Sequence, residues 1–98
     1  MKIVWLPLAR EDMEQTYEYY HDVAGPEIAQ NQLQKIVHAA RIFKEHPYVG
    51  VMNEADDEVF EWHIPNTSYT LPYCVVDNEV QILRVFDDRQ ERPEVWRS

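Results

Sequence analysis

Glu58-Val-Phe-Glu-Trp-His-Ile64, Ser68-Tyr-Thr-Leu-Pro-Tyr-Cys-Val-Val76 and Glu79-Val-Gln-Ile-Leu-Arg-Val-Phe86 read as three short strands in succession. In the first, Phe60, Trp62 and Ile64 alternate with Glu61 and His63, the period of a strand with one dry and one wet face. Pro65-Asn66-Thr67 and Asp77-Asn78 supply residues that accept tight or left-handed backbone, so the strands are expected to form an antiparallel meander. Pro72 removes a ladder donor from the middle strand, which must therefore be bulged or locally at an edge there.

The rest of the chain must cover that sheet. Ile3-Val4-Trp5 has strand composition and Pro7 ends it, while Pro7 also suits the first turn of a helix. Ala9, Met13, Thr16 or Tyr17, Tyr20 and Ala24 keep helical spacing, and Glu11, Asp12 and Glu14 bring negative charge towards the helix start. Gly25 stops this helix and Pro26 begins a second, expected to reach about Glu45, whose apolar face is Ala29, Leu33, Ile36, Ala40 and Phe43, widened by Val37. The short join makes the two an antiparallel hairpin. From Pro47 to Asp57 no period is legible, and Asn53-Glu54-Ala55-Asp56-Asp57 reads as an acidic loop. The expected fold is thus α+β, one domain over residues 1–98, in the order strand, helix, helix, strand, strand, strand.

With 98 residues and 45% hydrophobic content the chain has material for one modest core. A single cysteine, Cys74, suits a reducing compartment, and neither an apolar run of membrane length nor a signal peptide is present, so a cytoplasmic protein without a membrane partner is expected. Net charge is −9. Residues 1–83 hold 14 acids against five bases, whereas residues 84–98 hold four of each. Such a surface repels phosphate backbones, so direct DNA binding is not expected and a protein partner is. The late arginines Arg84, Arg89, Arg92 and Arg97 either converge into a cationic feature or pair with Asp87, Asp88, Glu91 and Glu94. The run Asp56-Asp57-Glu58 lacks calcium-loop spacing, and His21, His38, His46 and His63 lie in separate elements, so neither metal nor cofactor is expected.

Trp5-x-Pro7-x-Ala9-x-x-Asp12, Pro47-x-x-Gly50, Tyr69-x-Leu71-x-Tyr73-x-Val75 and Glu79-Val-x-Ile-Leu-Arg-Val85, in this order, resemble the RelE/ParE superfamily of bacterial toxins from type II toxin–antitoxin systems. The resemblance implies a growth-inhibiting protein of the plasmid-stabilisation type, neutralised by a cognate antitoxin. Its RelE-like branch cleaves mRNA on the ribosome, a reaction that needs cations around a charged phosphorane. Lysines of that branch match Glu61 and His63 here, an arginine matches Thr70, and a histidine of other relatives matches Asp87. These replacements favour the ParE-like branch, which binds DNA gyrase, and point away from an enzyme.

Three functions follow: a ParE-like gyrase-binding toxin, a RelE-like nuclease using His63, Arg84, Arg89 and Arg92, or a degenerate, non-toxic antitoxin-binding module. The residues expected to contact the target are Arg84, Arg89 and Trp96; Trp96 would alternatively anchor the C-terminus to the domain, and Arg84 would alternatively pair with an acid of the helical layer. Trp5, Leu6 and Leu8 are expected at the antitoxin contact. Because antitoxin tails of this superfamily are commonly acidic and this chain is itself strongly acidic, that contact is expected to be mainly apolar and weakly salt-dependent.

Overall fold

The computed structural model describes residues 1–97. Its elements are β1 (Lys2–Trp5), α1 (Pro7–Ala24), α2 (Pro26–Ala39), a 3₁₀ turn (Ala40–Lys44), β2 (Val51–Met52), β3 (Val59–His63), β4 (Tyr69–Val76), β5 (Glu79–Ile82) and β6 (Phe86–Asp87). The α+β order read from the sequence stands. Gly25, with φ of 92°, serves both helices: its N–H caps His21 of α1 and its carbonyl accepts from Ala29 of α2. The second helix is shorter than expected, because its last turn tightens to 3₁₀ ahead of Pro47.

The sheet runs β1-β5-β4-β3-β2, with β6 also on β4. The meander β3-β4-β5 is antiparallel, and β1 lies parallel to β5 at the far edge. At the turn between β4 and β5 both Asp77 and Asn78 have positive φ, the geometry of a two-residue hairpin loop whose twist matches its strands. The edge strand β2 comes from the stretch without legible period; two residues are too few to show one.

The expected third strand, Glu79 to Phe86, is interrupted. Tyr73 pairs with Ile82 and Thr70 with Phe86, so Leu71 and Pro72 of β4 face three residues, Leu83, Arg84 and Val85. This is a bulge of one residue, and it falls opposite Pro72. Leu83 N–H donates to the Pro72 carbonyl at 2.9 Å, which aims the missing donor of Pro72 at the bulge. The N–H freed on the other strand, that of Val85, is taken by Asp12 of α1 at 2.9 Å. The same carboxylate receives Arg84 Nε at 2.7 Å and Nη2 at 2.9 Å. Asp12 therefore serves the bulge rather than the dipole of its own helix.

Both faces of the sheet are packed. Beneath the helices lie Phe43, Tyr73, Leu71, Ile36, Ile82 and Val80, all at most 1% exposed. Rings of Phe43 and Tyr73 meet at 4.3 Å between centroids. Of the helical faces expected from periodicity, Ala9, Ala29, Ile36, Ala40 and Phe43 are buried, whereas Val37 is 44% exposed. The opposite face, expected to be wet, carries a smaller cluster of Val59, Cys74, Leu83 and Trp96 with Leu6 and Phe86. Gly50 is pressed against this framework: its N–H donates to the Tyr73 hydroxyl at 2.9 Å, and a Cβ there would stand 2.8 Å from the Glu61 carbonyl oxygen.

Removing the Asp12 carboxylate strands both a guanidinium and a backbone donor, so Asp12→Ala is expected to cost about 3 kcal/mol in chemical denaturation. Arg84→Ala leaves the Val85 bond intact and removes a partly exposed group, and is expected to cost about 1 kcal/mol. Equal losses would contradict the placement of Val85. Gly50→Ala forces backbone and the Tyr73 ring apart and is expected to cost about 1–3 kcal/mol in the same measurement.

Candidate functional site

The strands and tail bring the expected site residues to three separate places. The first is the sheet face away from the helices. Alternation along β3 puts Glu61 and His63 there, and alternation along β4 adds Thr70, Pro72 and Cys74. The tail beyond β6 crosses this face and is fastened to it by side chains. Trp96, 9% exposed, sits edge-on to Phe86 at 5.2 Å, and its Nε1–H donates to Glu61 Oε2 at 2.9 Å. Glu61 also accepts from Arg92 Nη2 and from the Asn53 amide. The Arg92 guanidinium lies 5.3 Å from the Trp96 ring centroid. Burial alone would raise the Glu61 pKa, but these three donors outweigh it and hold the carboxyl below its usual range.

Close by, His63 Nδ1 stands 2.8 Å from Asp88 Oδ2, and Thr70 Oγ1 donates to Asp88 Oδ1 at 2.8 Å. The carboxylate orients the imidazole while about half of the side chain stays open to solvent. An oriented imidazole suits proton transfer, yet cleaving a phosphodiester also needs cations that are not already neutralised. Here Arg84 is paired with Asp12, Arg89 with Asp87, Arg92 with Glu61, and Arg97 with both Asp56 and Glu58. The four late arginines do not converge: three reach acids far away in sequence, and only Arg89 takes a neighbour. Asp56 of the acidic loop and Glu58 just after it are thus counter-ions of Arg97, and no group of three His, Cys, Asp or Glu placed to hold a metal occurs among the described residues.

The second place is a polar cleft of about 370 Å³ between α1 and β6, lined among others by Gln15, Tyr19, Tyr20, Tyr69 and Arg89. Burial first, and then the hydrogen bond that the Tyr69 hydroxyl donates to Tyr20, push the Tyr69 phenol up from its ordinary value. Arg89 is the most open of the expected target-contact residues, with 64% of its side chain exposed. Arg84 is held in the bulge clamp and Trp96 forms the tail anchor, so the three do not share one patch. The tyrosines of this cleft carried a weak sequence signal, since Tyr17, Tyr19 and Tyr20 all sit on one helix and only folding selects which of them meet Tyr69.

Third is the open edge of β1. Trp5 lines an apolar hollow there with Ile3, Met13 and Val37. Leu8 is exposed on the first turn of α1, whereas Leu6 turns to the opposite side of the sheet and packs in the Trp96 cluster. The expected trio Trp5, Leu6 and Leu8 is therefore split between faces.

Because the folded-state pKa of Glu61 lies below its unfolded value, its contribution is fully present above the ordinary glutamate pKa and disappears as pH falls through the lowered one. Glu61→Gln is expected to be about 1 kcal/mol less stable than the parent at pH 7, with the gap closing below about pH 4. Denaturation curves of both proteins across that range check this; a gap that persists at acid pH would contradict the role given to the charge.

The chain matches, over residues 3–92, the model of a family described as the ParE toxin of the type II toxin–antitoxin system parDE. Among solved structures it is similar to a chain of the chromosomal ParDE TA system from P. aeruginosa, with 26% identity and a TM-score of 0.76 over 87% of this chain and 92% of that one. No curated protein matches in sequence. With the family model covering nearly the whole chain and the same topology found in a solved ParDE structure, this protein is a member of the ParE toxin family of type II toxin–antitoxin systems.

Proposed function

We propose that this ParE-family chain arrests growth by gripping a protein target, DNA gyrase being the one its branch implies, and is neutralised by a cognate antitoxin. The observation that carries this reading over RNA cleavage is the pairing of all four late arginines with carboxylates. A scissile phosphate brought to the sheet face would meet His63 and Asp88 with no guanidinium left to receive its charge. Protein recognition has no such requirement. The tyrosine-lined cleft has the side chains that dominate protein interfaces, and Arg89 at its rim is the target contact of choice. Arg84 and Trp96 act behind it, by holding the bulge and the tail in place. Trp5 and Leu8, on the helical side, remain for the antitoxin.

Purified protein at micromolar concentration is expected to inhibit supercoiling by gyrase, and addition of the product of the adjacent reading frame to restore it. Arg89→Ala is expected to raise the half-inhibitory concentration about tenfold with an unchanged melting temperature. Uninhibited supercoiling sinks the gyrase reading, and cut mRNA in a translation reaction would put the nuclease in its place. Unaffected growth on induction would identify a non-toxic binding module.

A further inference from the structure

Beyond β6 the chain is held to the domain in two different ways. Up to Gln90 the backbone itself is fixed: Asp88 N–H donates to the Ser68 carbonyl at 2.7 Å and Gln90 N–H to the Asp87 carbonyl at 2.9 Å. The Asp88 carboxylate adds His63 and Thr70 to this root. From residue 91 to 97, by contrast, no backbone–backbone hydrogen bond to the domain occurs among the described residues, and Glu91 to Val95 are all exposed. Three side chains make the attachment, Arg92 and Trp96 at Glu61 and Arg97 at Asp56 and Glu58. They close over a prepared seat. Leu6, Val59, Cys74, Leu83 and Phe86 gather around the Trp96 ring, in a cluster that shares no buried residue with the core beneath the helices. Glu61 stands at its border, its side chain 15% exposed, and accepts from Trp96 and Arg92 together.

We infer that residues 91–97 are a releasable strap and that the sheet face beneath them is a peptide-binding site, selective for a polypeptide segment whose tryptophan has an arginine four residues before it and another directly after. The chain's own tail is the occupant in the structure and competes with any such segment. A stretch held by a few side chains and no backbone ladder opens at a free energy well below that of global unfolding, and here opening leaves the helical core untouched. Once open, the face offers an aromatic pocket beside a carboxylate that has lost two of its three donors. Only donors at the spacing of Arg92 and Trp96 restore both contacts at once. A protein of net charge −9 also attracts cationic segments and repels acidic ones. Tethering gives the tail an effective concentration on the order of mM, so a free segment enters mainly when the strap is weakened. The inference holds whichever target the protein arrests.

Cys74, the single thiol of the chain and 1% exposed beneath the strap, reports opening through its rate of reaction with a thiol reagent. In the full-length protein that rate is expected to change little with urea below the unfolding transition, the mark of a local opening. Trp96→Ala is expected to raise it about tenfold or more and Arg92→Ala about threefold. Ile36→Val, in the helical core, is expected to change it less than about twofold although it makes global unfolding about fivefold more populated. A synthetic peptide of residues 90–97, supplied at about 1 mM, is expected to slow the labelling of Trp96→Ala about threefold. The same peptide with alanine in place of its tryptophan is expected to have no effect. Melting curves identify a variant that is not folded, and Arg92→Ala then carries the comparison and the peptide test. A rate that rises steeply with urea, equal rises for Ile36→Val and the strap variants, or equal protection by both peptides or by neither would overturn the inference.

Discussion

One carboxylate fastens the helical layer to the sheet. Asp12 reaches Arg84 and Val85 across a separation of 72 and 73 residues and satisfies three donors at once. The bulge on the strand beside β4 creates one of those donors, and the bulge is itself matched to Pro72, which has no N–H to offer the ladder. Take away the proline and the irregularity loses its reason; take away Asp12 and the irregularity has an unsatisfied backbone group. The interaction fixes more than stability. It re-aims the chain after β5, so that β6 pairs with the start of β4 and the tail then leaves across the face opposite the helices.

That path decides the electrostatics. Once the tail crosses β3, Arg92 meets Glu61 and Arg97 meets Asp56 and Glu58, while Arg89 turns back on Asp87. A segment that is neutral in composition thus neutralises part of an acidic surface without creating a positive one. Glu61 is central because it sits beneath the tail with little access to water and is the common acceptor for Arg92, Asn53 and Trp96. On the other side of the molecule Lys2, Arg10, Arg41 and Lys44, which form no ion pair among the described residues, border the hollows beside β1.

The fold could be read from the sequence wherever one periodicity dominated. Phe60, Trp62 and Ile64 set the register of β3, the steps from Ala29 to Phe43 set the buried face of α2, and Gly25, Asp77 and Asn78 marked their turns by backbone conformation. Pro72 announced an irregularity, but it lies in the facing strand at Leu83–Val85 rather than, as expected, in β4 itself. What stayed hidden depends on pairs distant in sequence. Nothing local distinguishes Asp12 from Glu11 or Glu14 as the partner of Arg84, and the acids beside the late arginines looked like their natural counter-ions until the tail was routed over β3. Val37 continued the apolar face of α2 in sequence, yet it lies at the rim beside the hollow next to β1, 44% exposed.

Two hollows with different electrostatics follow from this division of charge. In the tyrosine-lined cleft the ionic groups are balanced, Arg89 by Asp87 and Asp12 by Arg84, so recognition there rests on shape, aromatic surface and hydroxyl bonds, which salt barely alters. At the hollow beside β1 the apolar floor is bordered by Lys2 and Arg10, which have no ion pair among the described residues. α1 contributes to both, with Gln15, Tyr19 and Tyr20 on one side and Arg10 and Met13 on the other.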